Sequence, residues 1–272
     1  MRTQRARQLV IRPTVLLSAL AIIAAVGCSD SVAPNNTTTS TRKLGAGLPT
    51  WQQLHDALVS ARGENNGGLN LDMWGTIVDR TGTVVAVAFT GANVGDQWPA
   101  SRAISAQKAV TANSLSLPGL ALSTANLYSA VQPGGSLFGL QFSNPVDPAV
   151  VYGGKTSDYG TTKDFMVGRK PGGINVFGGG LALYASDGTI VGAIGVSGDL
   201  SCADHIIAWK ARDKLGFDFV PAGVADGGVD DNIIYDITNG VSASGFGHPV
   251  CNDATKTIGQ NLPNSNPIGK KG

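Results

Sequence analysis

Charge of either sign is scarce in this sequence. Charged residues are 14% of the 272, and 20 Lys and Arg stand against 19 Asp and Glu. No basic stripe occurs, so the electrostatic footprint of a nucleic-acid binder is missing. Aromatics are few, at 6%, and there are only three histidines and three cysteines, which confines imidazole or thiolate chemistry to a handful of positions. No apolar run reaches the ~20 residues of a membrane-spanning helix. There is no Gly-x-Ser-x-Gly elbow. The segment GAIGVSG at 192–198 lacks the Gly-x-Gly-x-x-Gly spacing of a dinucleotide loop and sits inside a strand pattern instead of opening a helix. Glycine, in contrast, is plentiful at 37 residues, a composition that suits a tightly turned sheet protein with many loops.

The N-terminus carries Arg2, Arg5, Arg7 and Arg12 and no acid before the apolar run Thr14–Gly27, which ends at Cys28. This is the plan of a secretory signal. The tetrapeptide Ala25-Val26-Gly27-Cys28 resembles a lipobox, whose cysteine is lipidated and becomes the new N-terminus. Ala25 stands where Leu is usual, so plain secretory cleavage is the alternative. Residues 1–28 are thus expected to be a lipoprotein signal peptide with Cys28 as the lipidation site. Residues 29–48 are expected to be a flexible tether, since Ser, Thr, Asn, Pro and Gly dominate them and too little apolar surface remains to offset the entropy of ordering. Ser29 after the cysteine, in place of an acid, points to the periplasmic face of the outer membrane. Without the four leader arginines, 16 basic residues face 19 acidic ones, a net charge near −3.

Beyond the tether the chain is long enough to bury a substantial core. Thr50 and Gln53 form a capping-box pattern before an apolar stripe of Trp51, Leu54, His55 and Leu58, which predicts a helix over 50–62. Residues 69–79 and 83–91, joined by Arg80-Thr81-Gly82, read as a β-hairpin, as do 174–185 and 189–198 around Ser186-Asp187-Gly188. Between them Pro99 sits at the entry of a helix over 100–115. The Pro- and Gly-rich stretch 117–172 suggests only a short helix near 123–130 and a strand at 137–142. Ser201 opens a last helix that runs to Leu215, with Gly216 as its stop. The expected fold class is therefore α+β, an antiparallel sheet with flanking helices. A domain over 49–216 is followed by a loop-rich extension, 217–272, packed on it.

Two blocks carry a family resemblance. The first is GTIVDRTGTVVAVAFTGA followed by SRAISAQKAVTAN, in which Lys108, Ala109, Thr111 and Ala112 match a Lys-Ala-x-Thr-Ala segment; the second is GGLALYASDGTIVGAIGVSGD, with Gly179, Gly180, Gly192, Gly195, Val196, Ser197 and Gly198 in place. Over about 49–216 the chain resembles the GlcG/HbpS-like haem-binding family. The resemblance implies a profilin/PAS-like fold, a homo-oligomer, and haem or a related tetrapyrrole as ligand. The stretch 131–172 is longer than the usual connection between the blocks, and 217–272 is absent from short family members.

Haem iron is held by His, Cys, Met or Tyr, so His55, His205 and His248 are candidate ligands. The resemblance adds Thr111 as an oxygen ligand and Lys108 as a propionate partner, the two lining a slot between the 100–115 helix and the 174–198 hairpin. Cys202-Ala-Asp-His205 and His248-Pro-Val-Cys251 admit three readings: a Cys202–Cys251 disulfide, favoured in an oxidising compartment; a zinc site; or unpaired thiols. A Ser-His-Asp set from Ser197, His205 and Asp204 is disfavoured because adjacent Asp and His do not orient each other. The expected function is extracytoplasmic haem or tetrapyrrole binding for capture, sensing or protection. The alternatives are a redox or haem-modifying enzyme and a ligand-free assembly module.

Overall fold

The computed structural model describes residue 45 and residues 47–269; the leader, the Cys28 lipidation site and nearly all of the 29–48 tether lie outside the described residues. Helix α1 (Trp51–Arg62) starts at the expected capping box, the Thr50 hydroxyl accepting from the Gln53 amide and the Gln53 side chain accepting from the Thr50 amide. Strands β1 (Trp74–Asp79) and β2 (Val84–Phe89) form the first hairpin. The Asp79 carboxylate closes its turn by accepting from the amides of Thr81 and Thr83, the usual Asp device for a tight turn. Helix α2 (Ser101–Leu115) follows, then short helices α3 (Leu140–Ser143) and α4 (Pro148–Val151), the second hairpin β3 (Gly180–Tyr184) and β4 (Ile190–Ser197), and helix α5 (Ser201–Leu215).

The four strands make one antiparallel sheet in the order β2-β1-β4-β3. The two hairpins therefore join along β1 and β4, with Ile77 opposite Ile194 and Trp74 opposite Ser197. Strand alternation divides the core in two. Ile77, Ala86, Leu181, Ile194 and Val196 face α1 and α5, where they meet Leu54, Leu58, Ile206 and Trp209. Trp74, Val78, Val87 and Ala193 face α2 and meet Ala103, Ala106 and Ala109. A sheet covered on both faces explains why these strands read as nearly unbroken apolar runs. The antiparallel sheet with flanking helices is as expected. Gly195 lets α2 lie close against the sheet, because a Cβ there would run into the Ser105 carbonyl.

One expectation is corrected. Residues 137–142 are not a strand: Gly139 turns at φ 92°, and α3 begins at Leu140 with Phe142 exposed. The apolar run has no partner strand among the described residues, so its β propensity finds nothing to pair with. The rest of the connection is anchored by a buried ion pair, Arg102 Nε to Asp164 Oδ2 at 2.9 Å, with the guanidinium over the Tyr159 ring. The extension is loop-rich, as expected, with a few regular elements among its loops. It carries a small hairpin, β5 (Ile237–Thr238) and β6 (Val241–Ser242), and helix α6 (Asp253–Ser265). Asn252 and Thr255 form a second capping box, and Leu262 joins the α1/α5 core. Arg212 of α5 reaches Asp231 of the extension in a fully buried two-pronged pair at 2.8 Å and 2.8 Å.

Candidate functional site

The sequence candidates separate into three places. The first is the seam between α2 and the N-terminal end of α5. Lys108 is buried, its ammonium donating to Asp204 Oδ2 at 2.7 Å and to the Val196 carbonyl at 3.0 Å. Asp204 also accepts from the amides of Gly198 and Asp199. Burial pushes the Lys108 pKa down and that of Asp204 up to about 6, against the pull of each on the other. The Lys108 amine is thus engaged within the fold by Asp204 and the Val196 carbonyl. Thr111 is buried as well, donating to the Gln107 carbonyl and accepting from the Asn175 amide. The slot expected between the 100–115 helix and the 174–198 hairpin is filled by these contacts. Both side chains face protein.

The second place is the junction of α5 with the extension. Cys202 and Cys251 are joined by a disulfide, so the zinc and free-thiol readings do not describe this state. His248 is buried beside them, its Nδ1 at 2.8 Å from the Pro249 carbonyl and its Nε2 at 3.3 Å from Ser201 Oγ. Its ring is tilted over Tyr128 with centroids 5.1 Å apart. Burial lowers the His248 pKa to about 4. His205 is fully buried one turn along α5, where its Nε2 meets the Ile233 amide at 3.1 Å and Asn232 Oδ1 at 3.2 Å, while Nδ1 has no partner. Burial brings its pKa down to about 3, so it is neutral at pH 7. Its neighbour Asp204 is turned to Lys108, and Ser197, His205 and Asp204 do not assemble into a triad.

The third place is the outer flank of α1. His55 is the candidate with an imidazole edge in solvent, its side chain being 32% exposed. The ring stacks on Trp51 with centroids 5.2 Å apart, and Nδ1 lies 3.2 Å from Asp56 Oδ1. The His55 hydrogen bond, with a second from Gln52, lowers the Asp56 pKa. A carboxylate on Nδ1 sets the tautomer and leaves Nε2 as a free donor of electrons, the arrangement that orients metal-ligating histidines. Asp56 was missed in the sequence, although its place next to His55 was visible there. Ser201 was missed too; its signal was indirect, since a 202–251 disulfide brings the residues beside each cysteine together.

Residues 50–213 match the family model described as haem degrading protein HbpS-like. No curated protein matches the chain. Among solved structures, the chain is similar to Klebsiella pneumoniae protein ORFY, with 27% identity and a TM-score of 0.41 over 60% of this chain and 86% of that one. It is similar to the PduOC:heme complex, with 25% identity and a TM-score of 0.41 over 60% and 89%. A double mutant of Streptomyces reticuli HbpS gives 19% identity and a TM-score of 0.40 over 73% and 99%. The matched stretch takes in both hairpins and α1, α2 and most of α5, and on it the chain belongs to the HbpS-like family of haem degrading proteins.

Proposed function

We propose that this protein binds haem and that His55 is the iron ligand. Family membership over residues 50–213 carries the ligand, and the placement of the imidazoles supports the residue. His205 and His248 are buried with their pKa values driven down, whereas His55 presents Nε2 outward beside the flat face of Trp51. Asp56 holds the ring in the tautomer that frees Nε2 for iron, and the stacked Trp51 fixes the orientation of the imidazole. The family description favours a second reading, haem breakdown, in which haem iron would supply the oxygen chemistry when bound and this chain would supply binding and orientation.

The leader and Cys28 extend the proposal to place: a lipid-anchored, extracytoplasmic module that captures or senses haem, working as a homo-oligomer. Titration of the purified protein with haemin tests the ligand. A Soret shift saturating at micromolar haemin or below is expected, with His55→Ala moving the band and weakening binding at least tenfold, about 1.4 kcal/mol. An unchanged spectrum in the wild type would remove the haem assignment. An unchanged His55→Ala spectrum would move the ligand elsewhere, with Thr111, Lys108, His205 and His248 as the next substitutions.

A further inference from the structure

The C-terminal extension builds a second constellation that haem binding does not use. Ser201, at the first turn of α5, places Oγ 3.3 Å from His248 Nε2, and His248 Nδ1 lies 2.8 Å from the Pro249 carbonyl. A carbonyl accepts only, so Nδ1 carries the proton and Nε2 is the free base facing a serine hydroxyl. That is a nucleophile, a general base and a third group that orients the base. We propose that Ser201 and His248 form an esterase dyad acting on carboxylic esters with small acyl groups.

Four observations support the assignment. The Cys202–Cys251 disulfide is immediately beside Ser201 in one segment and three residues from His248 in the other, so it clamps nucleophile to base across the chain. Ser201 is partly exposed while His248 is buried, which leaves the hydroxyl reachable and the base shielded. Burial lowers the His248 pKa to about 4, so the imidazole is neutral at pH 7. Finally, a groove of about 670 Å³ opens between the 128–136 turn and the extension, and Tyr128 and Pro249, which flank His248, lie in its wall with Ile237 and Val241. The groove thus reaches the two residues that adjoin the base. The N-terminal end of the 15-residue α5, at Ser201, adds a positive field where an oxyanion develops.

The chemistry balances with water alone. As Ser201 Oγ bonds to the ester carbonyl carbon, its proton passes to His248 Nε2. The carbon–oxygen bond to the leaving alkoxide breaks, and the alkoxide departs with that proton. Water then adds to the acyl-serine, giving one proton to Nε2, and Nε2 returns it to Ser201 Oγ as the acid leaves.

The test uses the disulfide-bonded protein with a fluorophosphonate probe and p-nitrophenyl acetate. One probe per chain is expected, mapped to the peptide carrying Ser201. Ester turnover should fall to the buffer rate in Ser201→Ala and at least tenfold in His248→Gln, with the melting temperature and the intact disulfide checked in each. Probe labelling of the folded wild type needs no variant and so stands even if His248→Gln fails to fold. Labelling on another residue, no labelling of the folded protein, or wild-type turnover in Ser201→Ala would overturn the dyad. None of these readouts depends on haemin, so the result is separable from the His55 proposal.

Discussion

His205 and His248 are buried where a proton is costly, with pKa values lowered to about 3 and about 4. In the unfolded chain both return to about 6.5. Because the folded pKa values are the lower ones, the unfolded state binds more protons at mildly acidic pH. The stability they allow is complete above about pH 6.5 and falls as pH drops toward 4, by about 1.4 kcal/mol per pH unit for each histidine. Asp204 works in the opposite direction, since its pKa is raised to about 6, and it offsets part of that loss between its folded and unfolded values. Melting curves from pH 7 to pH 4 are expected to decline in the wild type and to decline less steeply in His205→Gln. Equal slopes in the two proteins would show that the buried ring is not the titrating group.

At the scale of elements, the extension is held by more than its loops suggest. The disulfide joins residues 49 apart, and a closed loop of that length contributes roughly 4 kcal/mol in the chain-entropy model. The Arg212–Asp231 pair and the seat of Leu262 in the core add to it. Cys202→Ala combined with Cys251→Ala is expected to lower stability by up to about 4 kcal/mol in denaturant titrations while leaving the 74–197 sheet intact by circular dichroism. Most elements of the domain were readable because their signals are local. The turns around Gly82 and Gly188, the Thr50 capping box and the Gly216 stop lie within a few residues of the structure they specify. Helix α6 was hidden by Gly259 and Pro263, which weigh against a helix, although its capping residues Asn252 and Thr255 were in view. The Lys108–Asp204 pair, the packing that fills the expected slot and the Ser201–His248 contact were not readable. Each depends on residues far apart in sequence that only the folded sheet and the disulfide bring together.

For the whole molecule, the domain and its proposed membrane attachment are separate matters. The described residues contain no helix long and apolar enough to cross a membrane, and the attachment proposed above is a lipid on Cys28. Cys28→Ala is expected to release the protein to the soluble fraction while the melting temperature of the purified domain stays unchanged. Retention of that variant on washed membranes would reject the lipid anchor. The exposed Phe138, Phe142 and Tyr152 of the long connection lie outside both cores.

A chain is made from its N-terminus, and this imposes an order on the cross-link. Cys202 emerges inside the family-matched region, on a helix whose packing partners in the sheet have already been synthesised. Its mate arrives 49 residues later. Any product cut short before residue 248 carries an unpaired sulfur at the start of α5 and a Ser201 with no histidine opposite. The closed bond thus marks a chain that has passed residue 251, with the extension drawn onto the start of α5.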